Sequence, residues 1–343
     1  MTRMQFSLLL VLAFLTSGVM QAQFITFDVP GGVQGTRPSV ILSNRMIVGS
    51  FIDAAGITHG FLRDNEGYIV TFDPPGSQNT IPSGGTLTDT IAGHYFDANK
   101  VSHGFLRSPG GAFTEFDCPG SGNGIDQGTY VYGINGKGTT TGACVDANNL
   151  SHGFVRYSDG AFTTFDPQGS QYTYAIGLTN SGEVAGFYVD ATHIAHGFVR
   201  LADGTVTSFD VPGRQFDRVS GINEKGAIIG VWDDSMGFVH GFLRAVDGTI
   251  TEFDAPNEAY GTLPTGINPQ EAVSGIYYDS NYRIHGFLRF PSGTFTEFDV
   301  PGPTFGTLAT SINPAAEITG FFEDANFVEH GFLRNPIAVI GMR

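Results

Sequence analysis

Apolar and polar residues alternate along this chain in short runs, each bounded by glycine, asparagine or aspartate. Ala272-Val273-Ser274-Gly275-Ile276-Tyr277-Tyr278 is one such run, and His285-Gly286-Phe287-Leu288-Arg289 and Thr294-Phe295-Thr296-Glu297-Phe298-Asp299 follow it. A period of two sends successive side chains to opposite faces, so these runs predict half-buried β-strands. A shorter run ending at Gly266-Ile267-Asn268 precedes them and brings the unit to four strands. Segments such as Asn223-Glu224-Lys225-Gly226 and Ser158-Asp159-Gly160 supply the turns between strands. No stretch has the apolar spacing of a long amphipathic helix.

The unit repeats. His-Gly-Phe begins at His59, His103, His152, His196, His240, His285 and His330, at intervals of 44, 49, 44, 44, 45 and 45 residues. A period in the forties built from four short strands is that of a propeller blade, whereas solenoid coils are usually shorter. The pattern therefore predicts an all-β chain, a seven-bladed β-propeller forming one domain over residues 23–343. Its ends are informative. Phe24-Ile25-Thr26-Phe27-Asp28-Val29-Pro30-Gly31 reads as a fourth strand with no blade before it, while the seventh unit has no such strand after Arg334. Placing residues 24–29 on the outer edge of blade seven closes the ring and removes its open edges. The tail Ile337-Ala338-Val339-Ile340 competes for that edge but lacks the Phe-Asp signature.

Within the units, polar residues recur at fixed spacings. The Asp of the Phe-Asp pair lies 14 residues after the His in six units: His59 and Asp73, His103 and Asp117, His152 and Asp166, His196 and Asp210, His240 and Asp254, His285 and Asp299. A hairpin with a three-residue loop sets each pair opposite one another across the third and fourth strands. Ring closure then joins His330 to Asp28. A second Asp stands six residues before each His, at Asp53, Asp97, Asp146, Asp190, Asp234, Asp279 and Asp324, and its side chain suits the turn that follows as a local cap.

Asp, His and Asp thus gather near one end of every unit. Such a set fits a metal site or an acid–base pair. It also fits a buried polar network that holds strand register, each hydrogen bond being worth about 1 kcal/mol. Repetition in seven copies favours the network, because catalysis normally breaks symmetry at one place. Arg63, Arg107, Arg156, Arg200, Arg244, Arg289 and Arg334 end the third strands, where pairing with acidic neighbours and simple solvation are both open. Phe51, Tyr95, Tyr188, Trp232, Tyr277 and Phe322 recur in the second strand, with Cys144 as the exception, and predict packing between blades.

Charge narrows the partners. Lysine and arginine number 17 against 33 acidic residues, a net charge of −16. Such a chain repels phosphate backbones and anionic lipid, so neither nucleic acid nor a membrane is expected as partner. Residues 1–22 read as a signal peptide: Arg3 supplies the positive start, Phe6 to Phe14 an apolar stretch too short to span a bilayer, and Val19-Met20-Gln21-Ala22 a small-residue end. The mature chain is expected to be secreted or periplasmic. Cys118 and Cys144 fall in adjacent units, and an exported chain can pair them, although nothing in the spacing decides it.

Ligands should meet the face carrying the long connections from strand four to strand one and from strand two to strand three, Pro74–Thr86 and Pro119–Tyr130 among them. Tyr172, Phe216, Tyr260 and Phe305 place an aromatic there in four consecutive units, able to stack on a sugar face or grip a peptide, or else to wedge against the neighbouring blade. His94 and His193 lie outside the repeat pattern and read as ordinary surface histidines. Gly-x-Ser-x-Gly, His-Glu-x-x-His, paired Cys-x-x-Cys, a phosphate-cradling loop and an EF-hand loop are all missing, so neither catalytic residues nor a cofactor are assigned.

The unit Gly-Ile-Asn, Gly-x-Ile-x-Gly-x-Tyr-x-Asp, His-Gly-Phe-Leu-Arg, Phe-Thr-x-Phe-Asp-x-Pro-Gly resembles the bacterial extracellular repeat family named for His-Ala-Phe, over residues 24 to 334. This chain has Gly where that tripeptide has Ala, and Thr88-Asp89-Thr90 replaces the Ile-Asn strand end in the second unit. The resemblance implies export and a repeat architecture without assigned catalytic residues. The leading expectation is a non-catalytic binding or interaction scaffold for carbohydrate or cell-envelope protein. Its rivals are a propeller enzyme acting on polysaccharide, as glycoside hydrolase or lyase, and a purely structural or adhesive module.

Overall fold

The computed structural model describes residues 24–213, 215–302 and 304–336, leaving aside the side chains of residues 215–217. The leader-like residues 1–22 and the tail from Ile337 lie outside the described residues. Among the described residues all regular structure is β, in 28 strands without a helix. β1 (Phe24–Phe27) stands first. The chain then runs through four-stranded sets: β2–β5 (Gly35–Ile41, Ile47–Ile52, Thr58–Arg63, Ile69–Phe72), β6–β9 (Asn79–Gly85, Ile91–Phe96, Ser102–Arg107, Phe113–Phe116), β10–β13 (Gly128–Ile134, Thr140–Val145, Ser151–Arg156, Phe162–Phe165), β14–β17 (Ser170–Leu178, Val184–Asp190, Ala195–Arg200, Val206–Phe209), β18–β21 (Gln215–Ile222, Ile228–Asp233, Val239–Arg244, Ile250–Phe253) and β22–β25 (Gly261–Ile267, Val273–Tyr278, Ile284–Arg289, Phe295–Phe298). Three strands close the series, β26–β28 (Gly306–Ile312, Ile318–Glu323, Glu329–Arg334).

Successive strands within a set pair antiparallel, as in β2–β3, β3–β4 and β4–β5. The last set takes its fourth strand from the other end of the chain: β1 pairs antiparallel with β28, Phe24 opposite Arg334 and Phe27 opposite Gly331. That register repeats Gly60 opposite Phe72 in the first set. Every first strand carries a bulge against its second, at Pro38/Val40 and Pro264/Gly266 for example, which bends and twists it. Sets meet where a third strand begins beside the next first strand, through parallel bridges such as Ser151 to Tyr172, Ile284 to Gly306 and Glu329 to Gly35.

The core lies between sets. Phe61, Phe105, Phe154, Phe198, Phe242, Phe287 and Phe332, the aromatic members of His-Gly-Phe, are fully buried. Phe287 packs with Tyr277 and Val273 of its own set and with Ile229, Leu243 and Phe253 of the preceding one. The aromatics of the second strand lie in these interfaces as expected. The glycine of the tripeptide has a direct cause: a Cβ on Gly286 would come within 2.4 Å of the Phe298 ring opposite it, so the Phe-Asp phenylalanine can lie down only over a bare backbone.

The arginines ending the third strands are neither solvated nor paired with acids. All but Arg244 are buried, and each lies over a phenylalanine of the preceding set's outer strand. Arg107 sits 5.1 Å from the Phe72 ring and Arg334 4.5 Å from Phe298. Arg63 takes Phe27 of β1 in the same way, at 4.9 Å. A planar, weakly hydrated guanidinium tolerates this stacked burial where a lysine would not. The cysteines do pair. Cys118, just after β9, is bonded to Cys144 on β11, both 2% exposed, with Cα atoms 5.9 Å apart. Cys144 holds the place that an aromatic fills in the other sets, so the disulfide staples the second set to the third where that wedge is lacking.

Candidate functional site

In every set the hairpin of third and fourth strands stops pairing at the Gly–Phe register, and the His and Asp project one residue beyond it. There the imidazole Nδ1–H donates to the carboxylate. The distances are 2.7 Å for His59 to Asp73, 2.9 Å for His103 to Asp117, 2.7 Å for His152 to Asp166 and 2.7 Å for His196 to Asp210. They are 3.0 Å for His240 to Asp254, 2.8 Å for His285 to Asp299 and 2.8 Å for His330 to Asp28. The second aspartate faces the other ring nitrogen at 3.5 Å in Asp53–His59 and 3.8 Å in Asp97–His103. Each ring except that of His152, which faces Cys144, also lies on the second-strand aromatic, as His240 does on Trp232 with centroids 4.2 Å apart.

A buried network was the expectation, and burial is where it fails. The His side chains are 16% to 34% exposed, and their Asp acceptors 37% to 57%. Because the pair stands past the end of the ladder, water reaches the carboxylate while the aromatic shields only one face of the ring. The second aspartate caps its turn, as Asp53 Oδ1 does by accepting the N–H groups of Ala55 and Ile57 at 2.8 and 2.9 Å. Backbone donors from Ile194 and the Thr192 hydroxyl hold the Asp190 carboxyl down to about 2. Burial pulls the His59 and His196 rings downward, yet their flanking carboxylates outweigh it and raise both. Among the described residues no group of three or more His, Cys, Asp or Glu is disposed to hold a metal ion.

One component escaped sequence reading. Buried threonines at the start of first strands tie this rim to the next set: Thr80 and Thr173 donate to Asp73 and Asp166 at 2.5 and 2.6 Å, while Thr36, Thr129, Thr262 and Thr307 accept N–H groups from Val29, Cys118, Ala255 and Val300. The signal was the recurrence of Thr in six units at that point, broken by Asp217 in the fifth. His94, too, is a correction. It is 7% exposed, donates Nδ1–H to the Val131 carbonyl at 3.2 Å, and is held neutral by burial with a pKa lowered to about 4. His193 is a turn residue in the left-handed region, at φ 65°.

The four candidate aromatics separate. Tyr172 lies within β14 directly before buried Thr173, and its side chain is half-buried. The side chain of Phe216 lies outside the described residues. Tyr260 and Phe305 stand one residue further out, before Gly261 and Gly306, so the four do not occupy one point. Phe305 stays half-exposed, whereas Tyr260 also meets Phe238 of the preceding set, with centroids 6.1 Å apart. Tyr260 stacks on Tyr282 with centroids 3.9 Å apart, and Phe305 on Phe327 at 4.8 Å. Tyr282 and Phe327 are 68% exposed and Phe305 50%. Arg283 Nη2 bonds the Thr304 carbonyl at 2.7 Å and holds the two loops together. A chamber of 480 Å³, however, opens on the opposite face, where the first strands turn into the second.

Four-stranded antiparallel units that repeat along the chain and pack face to face define the class: this is a β-propeller repeat protein. No family model matches the chain, and no curated protein matches it. Among solved structures it is similar to a streptogramin B lyase, at 15% identity over 92% of this chain and 99% of that one, with a TM-score of 0.61. Virginiamycin B lyase from Staphylococcus aureus aligns at 11% identity over 92% of this chain and all of that one, TM-score 0.57. The β-propeller domain of the Trilobed protease from Pyrococcus furiosus aligns at 11% identity over 79% and 86%, TM-score 0.56. At these identities the likeness is one of fold.

Proposed function

We propose that the units form a ring of seven blades closed by β1, and that the ring acts outside the cytoplasm as a non-catalytic scaffold binding carbohydrate. Contacts that treat the junction of last and first units like the other junctions support the ring. Asn313 Nδ2 donates to the Leu42 carbonyl at 3.2 Å, as Asn223 does to Asn268 at 3.0 Å. The Thr310 hydroxyl donates to the Pro38 carbonyl at 2.9 Å, as Thr265 does to Ala309 at 2.9 Å. An address outside the cytoplasm is supported by the leader-like first residues and by the buried disulfide, a bond that reducing compartments disfavour. The resemblance of the unit to the His-Ala-Phe repeat family agrees with it.

One observation carries the carbohydrate reading. Tyr282 and Phe327 hold the left-handed conformation, at φ 60° and 62°, at a turn position that elsewhere bears Gly56, Lys100, Asn149, His193 and Gly237. A bulky ring there costs on the order of 1–2 kcal/mol and gains no burial, so folding does not account for it. Stacked and exposed on adjacent units, the rings offer flat apolar platforms of the kind that lie against the C–H face of a sugar. The acidic chain favours a neutral or basic glycan over one rich in uronate. The catalytic alternative needs two carboxylates converging on one pocket. Among the described residues lining the 480 Å³ chamber, Glu224 is the single acid.

Replacing the rings by the residue that unit three already uses separates the roles. Phe327→Asn and Tyr282→Asn should keep the melting temperature or raise it, while calorimetric binding to neutral or basic polysaccharides falls at least about tenfold. A wild-type chain that binds nothing across such a panel, or Asn variants that bind unchanged, refutes the reading.

A further inference from the structure

The chamber on the other face has its own chemistry, independent of the carbohydrate reading. Its floor is a ring of one apolar residue from nearly every unit: Ile41, Ile134, Leu178, Ile222, Ile267 and Ile312. At 480 Å³ it falls in the range of small-molecule sites. The asparagines just beyond the floor are spent on the fold, since Asn223 and Asn313 donate to the carbonyls of neighbouring units and accept N–H groups of their own turns. The next position forms the rim, and here the repeat abandons its pattern. It carries Leu87, Asn180 and Glu224, with serine, glycine and proline in the remaining units.

Charge decides what such a chamber admits. Glu224 is the single charged residue among those lining it, and the lining holds no lysine, arginine or histidine, Lys225 following Glu224 in the turn outside it. Its Oε2 accepts the Asn180 N–H at 2.9 Å, which holds the carboxylate over the mouth. The chain as a whole, at −16, repels anions and attracts cations. From the apolar floor and this single rim carboxylate we infer that the chamber binds a small organic cation, an apolar body seated on the isoleucine ring with an ammonium head at Glu224.

Three probes sharing one body test it: phenylbutylammonium, phenylbutanol and phenylbutyrate, titrated calorimetrically into the intact chain. The expected order is ammonium, then alcohol, then carboxylate, with saturable binding and the ammonium about three- to tenfold tighter than the alcohol. Glu224→Gln, which can still accept the Asn180 N–H, should erase the ammonium's advantage and leave the alcohol unchanged. Ile222→Trp should fill the floor and abolish all three. Should it fail to fold, Leu87→Trp at an exposed rim position narrows the mouth without touching the core, and its fluorescence should respond to the ammonium. Equal affinity for the three probes overturns the inference, as does binding indifferent to both tryptophan variants. Binding that appears only after deletion of residues 337–343 would make the chain's own apolar, arginine-ended tail the occupant, and overturns it as well.

Discussion

A single missing methyl explains the signature tripeptide. Gly286 lets the Phe298 ring lie against the backbone, where a Cβ would approach to 2.4 Å; at Gly153 the corresponding approach to Phe165 is 2.9 Å. Gly286→Ala should therefore destabilise by about 1–3 kcal/mol in denaturant unfolding, and Gly153→Ala by less. Equal effects would mean that backbone freedom, not the ring, sets the glycine. His59 and His196 act through charge. A raised histidine contributes stability that is whole below its unfolded value near 6.5 and is lost as pH rises through its folded value, which describes His59 and His196. The lowered capping carboxylates work in the other sense, present above their usual value and lost as pH falls through the folded one, about 2 for Asp190. Stability should thus be greatest near pH 5–6 and decline toward pH 8. The acidic net charge adds a slope of the same sign, so the informative quantity is the difference between wild type and His196→Gln at each pH. That difference should shrink from pH 5.5 to 8; a constant difference would remove the charged ring from the account.

Strands were the legible scale. Alternation and turn residues marked them, and the 14-residue spacing of His and Asp marked the hairpin that brings the pair together, because both signals are local. What joins one unit to the next was legible in the second-strand aromatics and not in the arginines. The arginines rest on rings that belong to another unit, a contact that no spacing within the repeat encodes. Tyr172 looked equivalent to Tyr260 and Phe305, but the fourth set enters its first strand without the glycine that precedes Thr262 and Thr307, and the aromatic shifts inward by one place. The disulfide gives a test at this scale. Val29, Val211 and Val300 stand where Cys118 does, and Tyr95, Tyr188 and Tyr277 where Cys144 does. Cys118→Ser with Cys144→Ser should lower stability by about 2–4 kcal/mol. Cys118→Val with Cys144→Tyr should recover much of the loss without a covalent bond, by restoring the wedge. Failure to recover would show that the staple does more than replace a side chain.

For the molecule as a whole, the repeated unit foretold an all-β, propeller-like architecture, while the two faces were harder to judge. The long loops drew attention to one face, and there two aromatic pairs stand at the surface, yet a chamber of 480 Å³ formed at the other. Its size follows from how widely the inner strands stand apart, a property of their assembly that no single unit holds. The junction of the chain's ends is the central claim. β1 and the two residues after it contribute Ile25, Phe27 and Val29 to a core shared with Phe51 and Phe61, and set Asp28 against His330. Deleting residues 24–31 should lower the melting temperature markedly and leave β28 with an open edge. Amide hydrogen exchange over Glu329–Arg334, compared with and without that deletion, asks the question most directly. Protection that is high in the whole chain and collapses in the truncated one is the predicted result; the same protection in both would contradict a fold held shut by its first strand.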